Sequence, residues 1–284
     1  MIDLSSEPFA VLGVQLNSFR SYHEATEMIR QRIRARRPTF CVAINPEKVY
    51  RSARDAKLKN AIDRADVRIC DGIGVAIAAL LLEHRRLPRC TGIELFTRLI
   101  PVAAQEGWRI FLLGASPESN AAACRKLRAK YPELRIAGSQ HGFFEHPTAV
   151  VDKINQSGAE LLFVAMGSPR QEFWITENLS RLKPCLCMGI GGSLDVISGA
   201  ATRAPALFSM TGTEWLYRLI AQPSRLQRQR VLPLFVLDVL KAMLSSRGPV
   251  PIDHSVQGRR TESESQVPLA AEADEAASVF QFPA

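Results

Sequence analysis

The sequence lacks any apolar run of the roughly 18 residues needed to cross a bilayer. It also lacks a CxxC pair, and its first residues have no basic segment leading into an apolar one. We therefore expect a cytoplasmic protein whose six cysteines are reduced and mostly buried. The five histidines are scattered, so a Cys/His metal site is not expected.

Three ligand-binding signatures are missing as well. The chain has no GxGxxG dinucleotide fingerprint, no GxxxxGK[ST] loop and no Asp-x-Asp carboxylate pair. The first absence argues against a hydride-transferring reductase. The third argues against a divalent cation at a diphosphate, so backbone dipoles, Arg and Lys would have to stabilise a leaving diphosphate. The sequence accordingly predicts no metal and no cofactor.

Positive charge is in excess and unevenly spread. The 284 residues carry a formal charge of +8. Residues 247–284 hold three basic and six acidic residues, a net of −3, which leaves +11 for residues 1–246. A positive net charge is compatible with binding to a polyanion, an anionic membrane or an acidic ligand, and it does not distinguish among these partners.

Apolar runs alternate with helical segments between residues 39 and 190. This pattern predicts an α/β fold, with a Rossmann-like, mostly parallel sheet and helices on both faces. A short strand pair around Gly13 precedes it. After the strand at residues 39–44 we expect one helix from residue 46 to about 64, and we expect the apolar segment 73–82 to form a buried helix.

The composition changes after Pro205. We predict an α/β core over residues 1–205 and a basic amphipathic helical appendage over residues 206–246, with Pro223 and Pro233 as breaks. Residues 247–284 are rich in Ser, Glu, Ala and Pro, so we predict a disordered tail there.

Two strand-like runs end in glycine-rich turns. Ligands of open α/β sheets bind at the carboxyl ends of strands, and N–H groups at helix starts attract anions. Arg contacts phosphate through two donors, and Gln can read a hydroxyl or a uracil edge. The turns favour a nucleotide or sugar-nucleotide diphosphate, although each alone also suits a plain strand-to-helix turn. The candidate contacts are Arg170, Gln171, Gly189, Gly191, Gly192, Ser193 and Asp195.

Two other strand ends carry polar side chains. Asp71, in CDGIG, can act as a general base close to a ligand hydroxyl, or can simply form a turn before Gly. Asn45, in AINPEK, can line the same site, or can simply cap the following helix. Taken alone, the local explanation is the stronger one for each residue.

The segment from residue 213 to 247 combines Arg residues with apolar side chains. Basic and apolar residues on one helix suit an anionic bilayer surface. Aromatic residues that could stack on bases are few, so we do not expect nucleic acid as a partner. The sequence leaves open whether the chain forms a homo-oligomer.

A series of short motifs, in order and spacing, resembles one family. They are NPE at Asn45, CDGIG around Asp71, LPRCTGIEL from Leu87, FLLGASPE from Phe111, MGSPRQEFWI from Met166, GIGGSLDVISG from Gly189, RAP at Arg203 and EWLYRL from Glu214. This series is similar to the WecG/TagA/CpsF glycosyltransferases (glycosyltransferase family 26). The resemblance runs from about residue 11 to about residue 244.

The resemblance implies an inverting, metal-independent transfer of a sugar from a UDP-sugar to an undecaprenyl-diphosphate-linked sugar, in bacterial surface polysaccharide synthesis. Family donors include UDP-N-acetylmannosamine, its uronic acid and UDP-glucose. The enzyme would sit peripherally on the inner face of the cell membrane. The implied roles are base for Asp71, acceptor pocket for Asn45, phosphate contact for Arg89, donor contact for Gln171, nucleotide turn for residues 189–195, and diphosphate contact for Arg218.

One position departs from the family. Many members have Thr two residues before the Asn of NPE, where this chain has Ala43. If that hydroxyl orients the sugar, this chain does so otherwise or prefers another donor. Two alternatives stay open: a nucleotide-binding Rossmann-like enzyme of another class, and a basic binding protein.

Overall fold

The computed structural model describes residues 9–202, 205, 208, 217 and 230–244. Its strands are β1 (Phe9–Val11), β2 (Val14–Leu16), β3 (Thr39–Ile44), β4 (Val67–Cys70), β5 (Arg109–Gly114), β6 (Arg135–Gln140), β7 (Leu161–Ala165) and β8 (Leu186–Gly189). Its helices are α1 (Tyr22–Arg34), α2 (Pro46–Ser52), α3 (Ala56–Asp63), α4 (Ile73–Glu83), α5 (Gly92–Glu106), α6 (Pro117–Lys130), α7 (Pro147–Gln156), α8 (Arg170–Asn178), α9 (Ser193–Ser198) and α10 (Val231–Leu244).

The main sheet has six strands in the order β4-β3-β8-β7-β5-β6, and every neighbouring pair is parallel. All carboxyl ends therefore lie at one edge. The connection after β5 leads to β6 on one side, and the connection after β7 leads to β8 on the other side. This reversal opens a crevice between the adjacent strands β5 and β7. β1 and β2 form a separate antiparallel pair.

Helices cover both faces of the sheet. Alternate residues of β3 point to opposite sides: Phe40, Val42 and Ile44 join one buried cluster, and Cys41 and Ala43 join the other. Because both faces are covered, the whole of β3 is buried, which explains its unbroken apolar sequence. The predicted α/β fold with a parallel sheet and helices on both faces is confirmed.

Several helices begin where the sequence places an N-cap. The side chains of Ser21, Asn45, Asp55 and Ser116 each accept a hydrogen bond from the backbone N–H three residues further on. The cap at Asp55 explains one difference from expectation. The predicted single helix from residue 46 to 64 is two helices, α2 and α3, because Asp55 starts a new one.

Two other expectations were wrong in detail. Pro233 does not break a helix but lies in the first turn of α10, where a missing N–H costs no hydrogen bond. α4 is not a buried helix: Ile73, Ile77, Leu80 and Leu81 are 37–48% exposed.

Arg218, Pro223 and most of the predicted appendage and tail lie outside the described residues.

All six cysteines are free thiols, and only Cys185 is partly exposed. Burial raises the pKa of the Cys41 and Cys187 thiols to about 12. A thiol with so high a pKa carries almost no thiolate near neutral pH, and thiolate is the reactive form. These buried cysteines therefore act as small apolar residues of the core.

Candidate active site

A cavity of about 800 Å³ lies over the carboxyl edge of the sheet. Residues that follow each of the six strands line it, from Asn45 after β3 to Gly191 after β8. Ten of the residues singled out from the sequence line it, and only Arg218 is outside the described residues. They are Asn45, Asp71, Arg89, Arg170, Gln171, Gly189, Gly191, Gly192, Ser193 and Asp195. The fold thus brings the separate motifs to one place.

Asn45 and Asp71 directly follow two neighbouring strands, β3 and β4. The backbone N–H of Asp71 donates to the carbonyl oxygen of Ile44 at 2.7 Å, which extends the β3–β4 pairing by one step. A Cβ on Gly74 would lie 2.7 Å from Cγ of Pro46, so glycine is needed where α4 starts against α2. The close approach packs the first turn of α4 at Gly74, three residues after Asp71, against the first turn of α2.

Asn45 caps α2 through its side-chain oxygen, which accepts from the N–H of Lys48 at 2.9 Å. The local explanation for Asn45 is therefore correct as far as its oxygen is concerned. Asn45 also lines the cavity, so one residue both caps α2 and belongs to the candidate site. The cap fixes the orientation of the amide.

Arg89 precedes α5 in a segment tied to β4. The N–H of Cys90 donates to the carbonyl oxygen of Cys70 at 2.8 Å. Burial and then the charge of Asp71 raise the pKa of the Cys70 thiol to about 12, while Arg89 lowers it. Arg89 and Asp71 both line the cavity.

Gln171 and Arg170 open α8. The side chain of Gln171 is 3% exposed, accepts from the N–H of Gly191 at 2.9 Å and donates to Glu172 at 2.9 Å. Arg170 donates to the carbonyl oxygen of Gly142 at 2.9 Å. These contacts connect α8 to the turn after β8 on one side and to the loop after β6 on the other.

The turn after β8 leads into α9. Gly191 has a φ of +56°, which favours glycine, and its N–H is engaged by Gln171. Both the N–H and the hydroxyl of Ser193 donate to the carbonyl oxygen of Ile190. Asp195 also lines the cavity. The turn is therefore held by side chains as well as by its backbone.

One wall of the cavity is apolar. It is lined by Ile77 and Leu81 of α4 and by Val236 and Leu240 of α10, and all four are 42–53% exposed. Phe235 and Val239 are buried and anchor α10 on α2 and α4. The remaining exposed apolar residues of the two helices are Ile73, Leu80, Leu234, Leu237, Met243 and Leu244. We call this exposed set of α4 and α10 the apolar face.

Sequence reasoning missed a buried ion pair. Nζ of Lys48 lies 2.8 Å from Oε1 of Glu172, and the two side chains are 5% and 1% exposed. The pair joins α2 to α8, and no periodicity links residues so distant in the chain. Within the described ranges no helix is long and apolar enough to span a bilayer, and no cluster of three His, Cys, Asp or Glu side chains could hold a metal ion.

A parallel sheet has a cavity at its carboxyl edge, and glycine turns, Arg, amides and a carboxylate line it. This is the arrangement typical of α/β proteins that bind ligands at the strand ends. The sequence matches the Glycosyl transferase WecG/TagA/CpsF family over residues 9–249. The chain belongs to this family.

A curated relative from Bacillus spizizenii (strain ATCC 23059 / NRRL B-14472 / W23) is 33% identical over 235 residues, which is 83% of this chain and 90% of the relative. It is an N-acetylglucosaminyldiphosphoundecaprenol N-acetyl-beta-D-mannosaminyltransferase.

Proposed function

We propose that this protein transfers a sugar, with inversion and without a metal, from a UDP-sugar to an undecaprenyl-diphosphate-linked N-acetylglucosamine. The product would enter bacterial surface polysaccharide synthesis. The observation that carries the proposal is the meeting of Asp71, Asn45, Arg89 and Gln171 at one cavity in a glycosyltransferase of this family. The relative supports UDP-N-acetylmannosamine as the first donor to try.

In the proposed reaction the acceptor hydroxyl oxygen attacks the anomeric carbon of the donor. Its proton passes to the carboxylate of Asp71, and the bond from the anomeric carbon to the UDP oxygen breaks. Attack opposite to the leaving UDP inverts the anomeric configuration. General-base help of this kind contributes about 10²–10⁴-fold to the rate.

UDP leaves with additional negative charge, which the site must stabilise. Arg89 and Arg170 line the cavity and can supply positive charge. The turn of residues 189–195 would hold the nucleotide, and Asn45 would line the acceptor side. The positive groups support a reaction without a divalent cation.

The experiment is UDP release from a panel of UDP-sugars, with a short-chain lipid diphosphate–sugar acceptor and EDTA present. We expect acceptor-dependent release from one donor, and an inverted product by NMR. Release only after addition of a divalent cation would contradict the metal-free mechanism. Absence of release from every donor would contradict the proposed transfer.

The apolar face supports a peripheral position on an anionic membrane, where the lipid-linked acceptor resides. Exposed apolar patches of this kind mark interaction surfaces. Because the face also forms one wall of the cavity, docking on a bilayer would bring the site to the headgroup level. Location on the inner leaflet stays a prediction from the sequence.

Changing Leu234, Leu237 and Leu244 together to Gln should lower binding to anionic vesicles in cosedimentation by about tenfold or more, because apolar area that would be buried is removed. Gln keeps helix propensity close to that of Leu but removes apolar area. The matched control changes the same three residues to Met, which keeps the apolar surface and should keep binding. Equal vesicle binding of the two variants would contradict the membrane role of this face.

A further inference from the structure

The buried pair of Lys48 and Glu172 continues into the site. Oε1 of Glu172 accepts from Nζ of Lys48 at 2.8 Å and from Nε2 of Gln171 at 2.9 Å. Oε1 of Gln171 then accepts from the N–H of Gly191 at 2.9 Å. Lys48 also donates to the carbonyl oxygen of Ala43 at 2.6 Å. One chain of hydrogen bonds thus runs from the end of β3 through the start of α8 to the turn after β8.

Stability does not explain this arrangement well. Lys48 lies in the first turn of α2, where the helix dipole disfavours a positive charge. A buried ion pair is often no better than two apolar side chains of similar size. Oε2 of Glu172 is buried, and it has no hydrogen-bond partner in the part of the chain that the structure describes. Buried polar atoms without partners are rare and call for another reason.

Orienting the side chain of Gln171 gives the Lys48–Glu172 pair a role other than stability. An amide can present either its oxygen or its nitrogen in one direction. The carboxylate of Glu172 only accepts, so it fixes the nitrogen of Gln171 toward itself and the oxygen toward Gly191. A Cβ on Gly189 would lie 2.5 Å from Nε2 of Gln171, so glycine at that position lets the amide pack against the strand end. The amide of Gln171 thus lies against Gly189 at the end of β8 and is hydrogen-bonded to Gly191 in the turn.

We infer that Lys48 and Glu172 are positioning residues that set the orientation of Gln171 and, through it, the nucleotide-binding turn after β8. The inference rests on the proposed function, since it assigns the turn to a nucleoside diphosphate. Glu172 does not line the cavity, and Lys48, which does, has its ammonium engaged by Glu172 and by the carbonyl oxygen of Ala43. The effect is on donor binding, so the donor KM rises while kcat changes little.

The test replaces both charges at once. In Lys48→Met/Glu172→Met no charge is left unpaired, so the fold should persist with a melting temperature near that of the wild type. Gln171 loses the acceptor that orients it, and the affinity for UDP measured by calorimetry should fall roughly tenfold, as expected for about one hydrogen bond. The donor KM should rise in parallel.

Two further variants separate position from charge. Glu172→Gln leaves the buried ammonium of Lys48 without its anion and lowers the free energy of unfolding. It keeps an oxygen that can accept from both Lys48 and Gln171, so UDP affinity, measured where the variant is folded by circular dichroism, should be mostly retained. Gly189→Ala leaves the ion pair in place and displaces the amide of Gln171, so it should weaken UDP binding as the double variant does. This second route does not depend on the folding of the double variant.

The matched control is Lys57→Met/Glu177→Met. This pair also joins a neighbouring helix to α8 at 2.8 Å, but both side chains are more than half exposed. We expect wild-type UDP affinity from it.

Wild-type affinity in both Lys48→Met/Glu172→Met and Gly189→Ala would overturn the inference, and so would an equal loss in Glu172→Gln and the double variant. Failure of the wild type to bind UDP would overturn this inference and the proposed donor together. UDP binding without acceptor-dependent release would overturn the proposed transfer alone.

Discussion

Asp71→Asn should leave the fold and the affinity for UDP unchanged and lower acceptor-dependent UDP release by about 10²–10⁴-fold. Asparagine is nearly isosteric with aspartate but cannot take the acceptor proton. The N–H of residue 71 still donates to Ile44, so the backbone at the end of β4 is kept. Steady-state kinetics with saturating donor and acceptor measure the loss.

The control for that experiment is Asp152→Asn. Asp152 lies on α7 with its side chain 58% exposed and does not line the cavity. It makes the same chemical change and the same change in net charge, and turnover should stay at the wild-type level. Wild-type turnover in Asp71→Asn would remove Asp71 as the base and leave the rest of the site to be reassigned.

Lys48→Met alone should lower the free energy of unfolding by about 3–5 kcal/mol, because it leaves the carboxylate of Glu172 buried without its cation. Urea unfolding followed by circular dichroism at neutral pH measures the change. Adding Glu172→Met should restore most of the loss, since neither charge is then buried. The non-additivity of the two substitutions is the signature of a coupled pair.

Lys57→Met is the matched control for the folding experiment. Its partner Glu177 is exposed, so the pair is screened by water and the loss should stay below about 1 kcal/mol. A loss in Lys48→Met no larger than in Lys57→Met would contradict the importance of the buried pair.

The strands were predictable because each is a short apolar run between polar segments. β3 and β7 are buried along their whole length, and their sequences, TFCVAI and LLFVA, show this directly. The parallel arrangement followed from the alternation of strands and helices. The position of the cavity followed from it as well, because parallel strands place all their carboxyl ends at one edge.

Features that depend on contacts between distant residues were not predictable. The apolar sequence of α4 suits a core helix, yet one side of it has no covering element in the described part of the chain and is exposed. Lys48 and Glu172 each look like ordinary first-turn charges in the sequence, and only the packing of α2 near α8 pairs them. Composition records which residues are apolar or charged but not what they meet.

The strand order also decides when the site can exist during synthesis. Thr39 of β3 pairs with Leu186 of β8, so the first and last strands of the main sheet are neighbours. A nascent chain that has not yet released β8 from the ribosome lacks the turn that would hold a nucleotide. The cavity is therefore complete only after β8 has paired with β3 and β7 in the middle of the sheet. Ligand affinity should report the completion of folding more sharply than helix content does.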